Sequence, residues 1–117
     1  MNTLPIDRSD LLIRAPMLRR ALISGARRVI KHRDFLNKIN VFPVPDGDTG
    51  SNLAFTLGNV LTGALNRKAH STGDLLQRVS EHAVDGARGN SGAILAQFFT
   101  GVSERIGSSP MASLEQM

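Results

Sequence analysis

Apolar residues recur at helical spacing in four separate stretches of this chain, and that repetition argues for an all-α fold. In a stretch from about Ser9 to Phe35, Leu18, Leu22, Ile23, Ala26, Val29 and Ile30 fall on one broad face. Pro16 suits the first turn of the main helix there. A second helix is expected from Thr49 to about Leu65, with Leu53, Leu57, Val60, Leu61 and Leu65 as its stripe. Ser71 and Asp74 have the spacing of a capping box for a third, which carries Leu75, Leu76, Val79 and Ala83 and ends near Gly86. The fourth runs from about Asn90 to Ile106, with Ile94, Leu95, Phe98, Phe99 and Val102 for the core. No stretch reads as a convincing strand. Short connections between amphipathic helices make an antiparallel helical array. Residues 107–117, with Ser108, Ser109 and Pro110, read as a linker or a frayed end.

Glycine is the exception to this pattern. A glycine inside a helix costs about 1 kcal/mol relative to alanine, yet the chain holds eleven. Five of them, Gly47, Gly50, Gly86, Gly89 and Gly92, fall in two short connections, where the backbone can approach another group closely. Those connections should also meet. The second helix travels out and the third returns over a similar length at about 1.5 Å per residue, so the fourth starts where the second does.

The first connection, Asn40 to Asn52, reads NVFPVPDGDTGSN and places Asp46 and Asp48 one residue apart. Two unpaired carboxylates about 5 Å apart repel by roughly 3 kcal/mol at an effective dielectric near 20. A hard, oxygen-liking cation such as magnesium relieves that repulsion. The second connection, Gly86 to Gly92, reads GARGNSG and ends in a helix N-terminus, whose N–H groups and partial positive charge suit a phosphate. Together they suggest a magnesium-nucleotide site. Taken singly, each has a plainer reading. Asp46-Gly47-Asp48 alone reads as a turn with capping aspartates, Asn90 or Ser91 as a helix cap, and Arg88 as a surface residue, a partner of Asp85 or a phosphate contact. A calcium loop starting at Asp46 fails, because Leu57 stands where glutamate is needed. A Walker A loop fails because no lysine follows the glycines. His32, His70 and His82 lack metal-ligand spacing and read as surface or capping residues.

Composition bounds the remainder. A chain of 117 residues suits one modest domain. No apolar run approaches a membrane span, and Asp7, Arg8, Asp10 and Arg14 interrupt the N-terminus too early for a secretory signal. With no cysteine, disulfides, thiolate metal sites and cysteine nucleophiles are excluded, and a cytoplasmic location is expected. Residues 1–40 hold nine Lys/Arg against three Asp/Glu, whereas residues 41–117 hold five against seven. That basic first stretch reads as a solvated helix face. Five Phe, with neither Tyr nor Trp, give little for stacking bases, so no nucleic-acid partner is expected.

With both connections in view, NVFPVPDGDTGSN followed by GARGNSGAILAQFFTG resembles the ATP-binding DhaL-like domain of bacterial fatty-acid kinases, itself related to the nucleotide-binding part of dihydroxyacetone kinases. The likeness spans roughly Gly25 to Gly101. It implies an antiparallel barrel of helices, of which this chain covers about the first half, so residues 1–117 are expected to be the N-terminal part of a DhaL-like kinase domain. It further implies ATP or ADP at one end, bound through two magnesium ions, with Asp46 and Asp48 as ligands and as the catalytic pair. Asn40 stands where dihydroxyacetone kinases carry a further aspartate, and is a weaker, neutral candidate ligand. Thr49 stands where those enzymes usually have His, which tilts the match toward fatty-acid kinases. Thr49, Gly50, Ser51, Asn52, Gly89, Asn90, Ser91 and Gly92 match positions around the nucleotide. The implied reaction is phosphorylation of a fatty-acid carboxylate presented by a separate lipid-binding protein; a homodimer is left open. The alternatives are a dihydroxyacetone (glycerone) kinase-type domain and a non-catalytic nucleotide-binding or interaction module. Four helices from such a barrel should leave part of their apolar faces exposed.

Overall fold

The computed structural model describes residues 12–40, 47–107 and 111–113, and these form five helices and one small pair of strands. Helix α1 covers Ala15–Lys31, α2 Arg33–Lys38, α3 Thr49–Gly63, α4 Thr72–Asp85 and α5 Gly89–Ile106. Strands β1 (Leu12–Arg14) and β2 (Met111–Ser113) pair antiparallel, with Ile13 opposite Ala112. The chain is all-α in class, as its periodicity predicts.

Local signals account for several boundaries. Pro16 lies in the first turn of α1, where its missing N–H costs nothing. Ser71 Oγ accepts from the Asp74 N–H at 3.0 Å and caps α4, as the spacing of that pair predicts. Two boundaries differ from expectation. The single helix expected from Ser9 to Phe35 begins at Ala15 and breaks at His32, whose Nδ1 lies 2.8 Å from the Arg28 carbonyl and whose N–H is shared between the Arg28 and Val29 carbonyls. The break redirects the chain into α2, which packs on α3. Within the stretch expected to be a linker or frayed end, residues 111–113 form β2 instead. Backbone pairing with residues 12–14 drives this, and the Thr72 hydroxyl, donating to the Ile13 carbonyl at 2.8 Å, fastens β1 to α4.

Helix α3 is the hub and packs on α1, α2, α4 and α5. The core gathers Leu57, Val60, Ala64 and Leu65 from α3 and the following turn, Leu75, Val79 and Ala83 from α4, and Ala96 and Phe99 from α5. Leu18, Leu22, Ile23, Val29 and Ile30 of α1 pack against it, half-buried. Ile94 and Phe98 do not join the core as expected; they are 71% and 63% exposed on the outer side of α5. Helix α5 has two apolar stripes, and α3 and α4 cover only one of them.

Candidate nucleotide site at two helix starts

The starts of α3 and α5 lie together, as the run of α3 out and α4 back requires. The Ser91 hydroxyl donates to the Thr49 carbonyl at 3.4 Å, joining the first turns of the two helices. Deeper in, Thr56 is fully buried between them. Its hydroxyl donates to the Asn52 carbonyl at 2.9 Å and accepts the Arg88 N–H at 3.2 Å. The glycines make this approach possible. A Cβ on Gly89 would strike the Asn52 side chain, and one on Gly92 would strike Thr56 Oγ1. Gly89 also has φ of +67°, a conformation that disfavours any other residue. Asn52, Thr56 and Asn59 therefore form a polar stripe along α3 on which Gly89, Gly92 and Gly86 sit.

The two helix starts are satisfied differently. At α3, Asn40 Oδ1 accepts the N–H groups of Asp48 and Thr49, both at 3.1 Å. Asn37 Oδ1 accepts the Ser51 N–H at 2.9 Å, while Asn37 Nδ2 donates to Ser51 Oγ at 2.9 Å. Two asparagines from the end of α2 thus cap α3 from outside. Asp48, the residue at the cap position, makes no cap bond with its own side chain, and that side chain is exposed. At α5, among the described residues, no side chain caps the N-terminus. The Arg88 side chain makes no cap bond, no acidic residue lies in the first turn, and the first intrahelical bond runs from the Gly92 N–H to the Arg88 carbonyl. By position, the N–H groups of Gly89, Asn90 and Ser91 have no intrahelical acceptor, which suits an anion. The Arg88 guanidinium lies 4.2 Å from the centre of the Phe55 ring, a cation–π contact beside this opening.

The structure therefore brings together Thr49, Gly50, Ser51 and Asn52 with Gly89, Asn90, Ser91 and Gly92. Gly50 is buried against α2, where a Cβ would strike the Arg33 carbonyl, so it acts in packing. Asn40 serves as a helix cap through the oxygen that would otherwise meet a metal. Asp46 lies outside the described residues. Among the described residues no group of three or more His, Asp or Glu side chains is placed to hold a metal ion. One donor suited to a hard cation is present, the exposed Asp48 carboxylate, which makes no ion pair or cap bond among the described residues. Sequence reasoning missed Asn37, Phe55 and Thr56. The polar Asn52-Thr56-Asn59 spacing on an otherwise apolar helix was the available signal for Thr56. Asn37 and Phe55 carried no local signal.

This all-α arrangement, with two glycine-flanked helix starts at one end, matches a known family: the profile of the DAK2 domain covers residues 43–117. The chain belongs to the DAK2 domain family, the nucleotide-binding domain type of dihydroxyacetone-kinase systems. It is also similar to uncharacterized proteins of staphylococci. One from Staphylococcus saprophyticus is 40% identical over 85 residues, 73% of this chain and 15% of that protein. Another from Staphylococcus epidermidis is 37% identical over 95 residues, 81% of this chain and 17% of the relative. A third from Staphylococcus aureus is 39% identical over 85 residues, 73% of this chain and 16% of the relative. The chain thus spans only a small part of the length of these relatives. Among the described residues no helix is long and apolar enough to cross a membrane.

Proposed function

We propose that this chain is the magnesium-nucleotide-binding part of a cytoplasmic phosphotransferase whose acceptor is a fatty-acid carboxylate presented by a separate lipid-binding protein. The observation that carries this reading is the joined pair of helix starts, Thr49 to Ser91, which brings the first turn of α5 to the start of α3, where Asp48 stands at the cap position. In this reading the backbone N–H groups of Gly89, Asn90 and Ser91 receive phosphate oxygens. Asp48 and, from the sequence, Asp46 hold magnesium. The bound metal would offset phosphate charge, the main demand that phosphoryl transfer makes on an active site. Asn40 and Asn37 act one step back, fixing the first turn of α3 and so the position of Asp48. Gly89 and Gly92 let α5 settle on α3 closely enough to set the spacing of the two groups.

The acceptor needs no base, because a carboxylate is already ionised at neutral pH. Its oxygen bonds to the γ-phosphorus of ATP, the bond to the bridging oxygen breaks, and ADP and an acyl phosphate leave. The full motif around Thr49 supports this acceptor over dihydroxyacetone.

Calorimetry with ATP and ADP tests the site. Binding is expected with magnesium and is lost in EDTA, and Asp46→Asn and Asp48→Asn each weaken it tenfold or more, about 1.4 kcal/mol. Unchanged affinity in both variants would refute the site. A phosphoryl-transfer assay offering dihydroxyacetone in one arm and a fatty-acid-loaded binding protein in the other tests the acceptor; turnover with dihydroxyacetone alone would refute the fatty-acid reading.

A further inference from the structure

The far end of the bundle carries a feature that nucleotide binding does not use. Helix α3 runs away from the site for 15 residues, so its C-terminus and the turn into α4 lie about 20 Å from the α5 opening at roughly 1.5 Å per residue. There, Arg67, Lys68 and His70 of the turn and Arg78 of α4 line a cleft of about 440 Å³. A smaller cavity of about 130 Å³ shares Lys68 and adds Arg19 and Arg20 of α1. Five permanent cations thus converge on one end, against two carboxylates, Asp74 and Glu81. None of the five is ion-paired among the described residues; the one salt bridge found there joins Arg33 and Asp34. Glu81 accepts a hydrogen bond from Gln77 at 3.1 Å.

Two of the five cations are anchored by main-chain carbonyls. Arg19 Nε donates to the Leu65 carbonyl at 3.0 Å, and Arg78 Nη2 to the Arg67 carbonyl at 3.4 Å. Arg78 Nε is buried and has no hydrogen-bond partner, an orphaned donor on a group that binds oxyanions through a planar fork. Burial first, then Arg67 and Arg19, push the Arg78 pKa below its usual value, with Asp74 opposing. Several cations lining one cleft repel one another, and an anion seated among them relieves that repulsion.

We propose that this cleft is a second anion site, built for a phosphate group and separate from the nucleotide site. Arg78 and Arg67 grip the phosphate, and Lys68 with Arg19 supplies the surrounding positive field. The phosphate can belong to a soluble phosphorylated compound or to a lipid headgroup, and the experiment separates these sources.

Amide-resolved NMR titration of the protein with inorganic pyrophosphate at low salt gives the direct readout. Shifts are expected at residues 66–81 and should fade as salt rises. Arg78→Gln should weaken binding about tenfold or more, and so should Arg67→Gln, an exposed change that leaves the core intact. Asp48→Asn should leave these shifts unchanged, so failure at the nucleotide site and failure here are told apart. Vesicles of phosphatidic acid in phosphatidylcholine form the second arm. Retention on them that Arg67→Gln abolishes assigns the headgroup, and pyrophosphate shifts without retention assign a soluble phosphate. Absence of shifts in 66–81 at millimolar pyrophosphate, or shifts that both arginine variants leave unaltered, would overturn the proposal.

Discussion

Asn37 and Asn40 do work at the residue scale that their neighbours cannot. Between them they accept the N–H groups of Asp48, Thr49 and Ser51, donors that a helix start otherwise leaves to water. Replacing either by alanine should cost about 1 kcal/mol, within the range for lost caps, read as a lower midpoint in thermal unfolding followed by circular dichroism. Asn40→Asp tests a second point at the same position. A carboxylate there can still accept both N–H groups, so stability should hold where Asn40→Ala loses it. Gly89 is constrained twice, by its φ of +67° and by the Asn52 side chain above its Cα. Gly89→Ala should destabilise by about 1 kcal/mol or more. Adding Asn52→Ala should recover the steric part but not the backbone part, a partial coupling that a double-mutant cycle measures.

At the scale of elements, the join between α3 and α5 runs through Thr56, whose hydroxyl bonds both Asn52 and Arg88. Thr56→Val keeps the shape but strands the Arg88 N–H, so amide exchange at residues 88–92 should quicken while α4 stays protected. Elements set by local chemistry were legible in the sequence. Ser71 with Asp74 announced the start of α4, and the stripe Leu75, Leu76, Val79 and Ala83 is buried throughout. Elements set at a distance were not. The break at His32 serves caps that reach α3 across 14 residues of sequence, and no helical period reports such a contact. Three-residue strands paired between positions 12–14 and 111–113 carry too short a pattern to be read. Apolar spacing puts Ile94 and Phe98 on an apolar face without saying whether anything covers it.

Across the whole molecule, chemistry is divided between two ends. The end at Thr49 and Gly89 was readable because glycine, which a helical chain otherwise avoids, is concentrated there. The basic end was not, because Arg19, Arg20, Arg67, Lys68 and Arg78 come from α1, the α3–α4 turn and α4, and only folding assembles them. Sites this far apart with no shared partners should behave independently, so the effects of Asp48→Asn and Arg78→Gln on thermal stability should add within about 0.5 kcal/mol. The central claim is that the joined helix starts form one magnesium-dependent nucleotide site. Amide-resolved NMR with ADP, with and without magnesium, tests it most directly. Magnesium-dependent shifts are expected, concentrated in residues 47–52 and 88–92, with α4 quiet. Shifts elsewhere, or shifts in these segments that are indifferent to magnesium, would contradict it.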